Sequence, residues 1–103
     1  MVLTEVELKK LLQEFTFRGK PVPAGLHQGI TQYLSKGVIP GYFLRTIIMK
    51  DFQEAMMAAD DENLWLIPAV WSFFYNNAPS LAWGSSEKMY EWSKFLTSCR
   101  THA

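Results

Sequence analysis

A chain of 103 residues that is 49% apolar and 19% charged has enough apolar material for one core, which sets aside a disordered chain. Its ten basic and ten acidic residues cancel, which argues against a protein whose main work is to neutralise phosphates or an anionic membrane surface. The lone Cys99 rules out an internal disulfide, and no segment has the apolar length of a signal peptide or of a membrane span, so the expectation is a single cytoplasmic domain over residues 1–103 with 98–103 as a frayed tail.

Thr4 followed by Glu7 is a capping box, because hydroxyl and carboxylate can each satisfy a free backbone N–H of a first helical turn. It predicts a helix over about 5–15, with Leu8, Leu11, Leu12 and Phe15 on one face. Residues 18–23, with Gly19, Pro21 and Pro23, read as a connecting loop. A second helix starts near Pro23 or Ala24, buries Leu26, Ile30, Tyr33 and Leu34, and stops at Gly37, a residue suited to a left-handed end. Pro40 opens a third, with Phe43, Leu44, Ile47 and Ile48. This helix either runs through to 59 or breaks at Asp51, which with Glu54 forms a new cap.

Asp60 and Asp61 cap a helix over about 62–76. Its residues 64–75 are apolar on all sides apart from Ser72, so other helices enclose it or part of it meets another subunit; Trp65, Trp71 and Phe74 are the candidate interface residues. Pro68 kinks this helix unless it falls within the first turn. Asn76, Asn77 and Pro79 end it, and 80–84 is a loop carrying Leu81 and Trp83. Ser85 or Ser86 caps a last helix that turns Met89, Trp92, Phe95 and Leu96 inward. No segment alternates long enough to predict a strand. The expected fold is all-α, a bundle of about five short helices around a central apolar helix.

Chemistry is sparse in this inventory. His27 reads as a surface residue in a first helical turn and His102 lies at the terminus, so no general base stands out. Cys99 reads as a small buried hydrophobe. Asp60, Asp61 and Glu62 point in different directions at a helix start, which suits capping better than a cation site. There is no Gly-rich phosphate loop, paired-cysteine zinc spacing or nucleophile elbow, so neither metal nor cofactor nor enzyme is expected. Aromatic rings beside a cation can stack on a nucleotide-like ligand, and Tyr42, Arg45, Trp83 and Trp92 are the candidates. Residues 30–50 also allow a helix, a turn at 36–40 and a second helix, which raises a DNA-binding regulator as the alternative. Tyr42, Phe43, Leu44, Ile47, Ile48 and Met49 leave that second helix few groups for reading bases, so nucleic acid is disfavoured. Charge is uneven along the chain: Lys9, Lys10, Arg18, Lys20, Lys36, Arg45 and Lys50 face the single acid Glu14, whereas residues 51–62 hold Asp51, Glu54, Asp60, Asp61 and Glu62 and no base.

Taken together, Ile39-Pro40-Gly41-Tyr42-Phe43-Leu44, then Lys50-Asp51-Phe52-Gln53-Glu54-Ala55, Ala59-Asp60 with Asn63, Ala78-Pro79, Trp83-Gly84-Ser85 and Trp92 form a pattern over residues 23–92. With it the chain resembles small uncharacterised helical proteins of tailed bacteriophages and prophages. The resemblance implies a viral origin and a host-cell cytoplasm, and it carries over no functional residue, since that family has no established activity. Each motif position also has a structural account, as cap, helix start, turn or core plug. The expected function is that of a non-enzymatic phage accessory protein acting by binding. It would disable a host defence or metabolic component, either by contact with a host protein through the apolar helix surface or the acidic stretch 51–62, or by sequestering a nucleotide-like small molecule in a homo-oligomer.

Overall fold

The computed structural model describes residues 3–101, with the side chains of 62, 99, 100 and 101 left aside. The expectations for His102 and for the side chains of Glu62 and Cys99 therefore lie outside the described residues.

Helix α1 spans Glu5–Glu14 and opens on the reciprocal cap: the Thr4 hydroxyl accepts from the Glu7 N–H at 3.2 Å, and Glu7 Oε1 accepts from the Thr4 N–H at 3.0 Å. Leu8 and Leu12, four apart, are its buried face. The loop expected over 18–23 is part of a two-strand hairpin that begins two residues earlier, β1 Thr16–Phe17 against β2 Lys20–Pro21, paired Thr16 to Pro21 and Phe17 to Lys20. Arg18 and Gly19 both take positive φ, 53° and 77°, the left-handed pair that closes a two-residue hairpin turn. Pro21 lacks a ladder donor and is tolerated because both strands are edges.

Helix α2, Ala24–Lys36, runs to Gly37, whose φ of 76° is left-handed and whose N–H caps the Gln32 and Tyr33 carbonyls. Gly37 is also a close approach: a Cβ there would stand 2.8 Å from the Ser93 carbonyl oxygen. Next come α3, Tyr42–Ile48, and α4, Phe52–Ala58, so the stretch from Pro40 to residue 59 is divided at Asp51. Lys50 makes the corner with a φ of 59°, the Asp51 N–H bonds the Thr46 carbonyl at 2.8 Å, and the Asp51 carboxylate accepts from the Glu54 N–H at 3.2 Å.

A second division falls in the apolar segment. Short helix α5, Asp61–Leu64, is capped by the Asp60 carboxylate, which accepts from the Asn63 N–H at 2.7 Å. The chain then restarts as α6, Ile67–Asn77, with Pro68 in the first turn, where no N–H is required. The 3₁₀ turn Ser80–Ala82 leads to α7, Ser86–Thr101, whose helical backbone covers 98–101 of the expected frayed tail.

The core joins Leu8 and Leu12 of α1, Ile30, Tyr33 and Leu34 of α2, Ile47 and Ile48 of α3, Val70, Phe73 and Phe74 of α6, and Met89, Trp92 and Leu96 of α7. Tyr33 ties three elements together. Its phenol donates to the Ala82 carbonyl at 2.5 Å, and its own carbonyl accepts from the Trp92 indole N–H at 3.1 Å. The whole is a compact, mostly helical globule with one small hairpin, and no helix among the described residues is long and apolar enough to cross a membrane. Helix α6 is covered on one side only: Phe73 and Phe74 are fully buried, whereas Tyr75 is 69% exposed.

Candidate functional site

From the core outward, aromatic rings of the α6 side form a connected series. Phe74 lies 5.7 Å from Trp83, Trp83 lies 6.2 Å from Trp71, and Trp71 meets both Phe52 at 5.9 Å and Tyr75 at 5.8 Å. The Phe52 contact is edge to face, a favoured geometry for ring pairs. Position in the helices explains the series. Trp71 and Tyr75 are four apart on α6 and share a face, and the Asp51 cap fixes Phe52 as the first residue of α4 beside them. Phe52, Ile67, Pro68 and Trp71 line a shallow hollow of about 230 Å³. On α4, Met56 follows Phe52 by one turn and is exposed, and Met57 is 79% exposed.

Acidic side chains are exposed on the same stretch of chain as Phe52. Asp51, Glu54, Asp60 and Asp61 are all exposed along α4 and the start of α5. Lys50 is held apart from them, its ammonium 4.7 Å from the centre of the Trp83 ring. The Trp71 indole N–H is buried and has no partner among the described residues.

The four residues proposed for ring stacking do not form one pocket. Tyr42 is exposed on α3, donates its hydroxyl to Glu54 at 2.6 Å and lies 5.6 Å beneath the Arg45 guanidinium. That bond to the Glu54 carboxylate holds the Tyr42 phenol above its ordinary pKa, with desolvation adding to the effect. Trp83 and Trp92 are each 6% exposed and plug the core from different directions. Trp83 packs on Trp71 and Phe74, while Trp92 packs on Phe95 and spends its indole N–H on Tyr33. No ring contact or hydrogen bond among the described residues joins Tyr42 or Arg45 to either tryptophan.

Of the residues proposed for an interface, Trp65 is 76% exposed at the turn before α6, Trp71 is half-buried in the hollow, and Phe74 is fully buried within the chain and has no surface to offer. Thr4, Asp51 and Asp60 make the cap bonds described above, and the Ser85 hydroxyl accepts from the Lys88 N–H at 3.1 Å. His27 is part-buried, with Nε2 2.9 Å from the Val22 carbonyl. The Tyr33 phenol is a structural donor whose burial pushes its pKa up. Among the described residues, no group of three or more His, Cys, Asp or Glu is placed to hold a metal ion.

Phe52 and Tyr75 complete the exposed rings beside Trp71, Met56 follows Phe52 on α4, and Met57 is exposed on the same helix; sequence reasoning did not single out these four residues. One signal was present: Phe52 and Met56 stand four apart in a short segment bounded by Asp51 and Asp60. Compared with known protein families, curated proteins and solved structures, the chain matches none of them.

Proposed function

We propose that this chain is a non-enzymatic binding protein that recognises another protein through the face formed by Phe52, Trp71 and Tyr75, with Met56 and Met57 beside it. The observation that carries this reading is the ring series from Phe74 and Trp83 out to Trp71, Phe52 and Tyr75, which anchors surface aromatics on buried ones. Rings held in that way lose little further freedom on binding, and Trp, Tyr and Met are the side chains enriched where protein interfaces concentrate their energy. The acids along α4 and α5 suit a partner with an apolar anchor and a basic rim. The pattern resembling small phage proteins favours a partner in a host cell, where obstruction of a defence or metabolic component would be a simple use of such a face.

Support for the other readings is weaker. A nucleotide-like ligand stacked between Tyr42, Arg45, Trp83 and Trp92 would need faces that the two tryptophans give to the core. A duplex-reading role for α3 is disfavoured because Leu44, Thr46, Ile47 and Ile48 are buried.

The test is site-specific photo-crosslinking of the full chain in bacterial cells, with the reactive group at Met57 or Tyr75 and a control at Lys10. A discrete product with one host protein from the first two positions and none from Lys10 is the expected result. Products containing only further copies of this chain would replace the host partner with a homo-oligomer, and equal labelling from all three positions would remove the reading.

A further inference from the structure

A groove of about 300 Å³ runs between α1 and α2, away from the aromatic face in sequence and unlike it in chemistry. Its lining includes Lys9 and Gln13 of α1 and His27, Gln28, Thr31 and Gln32 of α2. The two helices are antiparallel here, because Glu5 at the start of α1 accepts from Gln32 at 2.7 Å and pairs with Lys36 at 2.8 Å near the end of α2. One turn further along α1, Lys9 therefore stands level with the Gln28 to Gln32 turn, and Gln13 stands nearer His27.

Thr31 is the unusual member. It is completely buried, forms part of the groove wall, and its hydroxyl has no hydrogen-bond partner among the described residues. A buried hydroxyl is normally paired, so an orphan beside an open polar concavity marks a place where a partner is missing. Its neighbours are in the same condition: among the described residues, the side chains of Lys9, Gln13 and Gln28 make no hydrogen bond or ion pair, and Gln32 uses only its amide N–H on Glu5, which leaves its carbonyl oxygen open. His27 Nε2 faces the Val22 carbonyl, so it is the protonated nitrogen there and Nδ1 is the open one.

The groove thus offers both donors and acceptors, and one full positive charge, that of Lys9, sits at one end. Hydroxyl groups, each both donor and acceptor, answer the amides, and an oxyanion answers Lys9. None of the lining residues is Phe, Tyr or Trp, so nothing there would stack a nucleobase. We propose that the α1–α2 groove, with the orphaned Thr31 hydroxyl in its wall and Lys9 at one end, binds a small polyhydroxy compound carrying one oxyanion group, of the sugar-phosphate or sugar-acid type. This site is independent of the aromatic face and of what that face recognises.

Titration of the ¹⁵N-labelled full chain with glucose 6-phosphate, gluconate, glucose and inorganic phosphate tests it. Saturable amide shifts confined to α1 and α2 are expected with at least one of the two sugar anions, and glucose and phosphate should bind it at least tenfold more weakly. Which sugar anion binds better distinguishes a phosphate from a carboxylate requirement. Lys9→Gln and Gln28→Ala, both at exposed positions, should each weaken binding at least fivefold. Thr31→Val should weaken it by as much while leaving the melting temperature unchanged or raised, an opposite pair of effects that a purely structural threonine would not give. No saturable shift with any of the four compounds, phosphate binding as well as the sugar anions, or affinity unmoved by all three substitutions would overturn the proposal.

Discussion

In the seam between α2 and α7, large side chains are tied at their polar ends: Tyr33 donates to Ala82, Trp92 donates to Tyr33, and Ser93 donates to the Gly37 carbonyl at 2.6 Å. On the α4 and α6 side, the same residue types are treated differently. The Trp71 indole N–H has no partner among the described residues, and Tyr75 projects into solvent. Satisfied polar groups inside a core fix one arrangement, and their absence around Trp71 and Tyr75 leaves rings positioned by packing alone. The first region is where the chain is held together, and the second carries the proposed binding face.

The sharpest attack on this contrast is Phe73→Ala. Phe73 is fully buried and meets Phe15 and Phe74 edge to face, so its truncation should cost about 3–5 kcal/mol in chemical denaturation. Tyr33→Phe keeps the ring but leaves the Ala82 carbonyl without its phenol donor, and a loss of roughly 1–3 kcal/mol is expected by the same measurement. Tyr75→Ser should change stability by no more than about 0.5 kcal/mol while removing the crosslinked partner, because its ring is mostly solvated in the isolated chain. A large stability loss there would mean that the face belongs to the core after all.

The smallest effect expected is electrostatic. The Glu5 carboxyl is held below its ordinary value of 4.5, first by its bond from Lys36 and then by that from Gln32. A group whose folded pKa is depressed stabilises the fold above its unfolded value, and that contribution fades as pH falls through the lowered folded value. Glu5→Gln should therefore flatten the pH dependence of the denaturation midpoint below about pH 4.5 and leave it little changed at neutral pH, where an exposed pair contributes little.

What the sequence revealed follows the range of the forces involved. The caps at Thr4, Asp51, Asp60 and Ser85 are visible because each bond spans three residues and needs no knowledge of the rest of the chain. Gly37 reads as a helix end for the same reason. The hairpin does not read at all, since strands of two residues are too short to alternate and Arg18 gives no glycine-like signal for its positive φ. The break before α6 is half visible: Pro68 demands a first-turn place, but only packing decides that Leu66 caps a new helix. Trp83 and Trp92 look like ligand platforms in a loop and a helix, and become core once Tyr33 and Phe74 arrive from distant parts of the chain. Phe52 and Met57 show the converse. A helix of seven residues has too few turns to declare which side faces water until its neighbours are in place.

The four tryptophans are graded in depth, from Trp65 in solvent through half-buried Trp71 to Trp83 and Trp92 in the core. One emission spectrum therefore carries two separate reports: Trp65 dominates at the red edge, and the interior indoles dominate at the blue. Docking on the proposed face would move the contribution of half-buried Trp71 while that of the interior indoles stays still, whereas melting would shift the interior contribution toward the red. The chain is its own two-channel optical sensor, with no label attached.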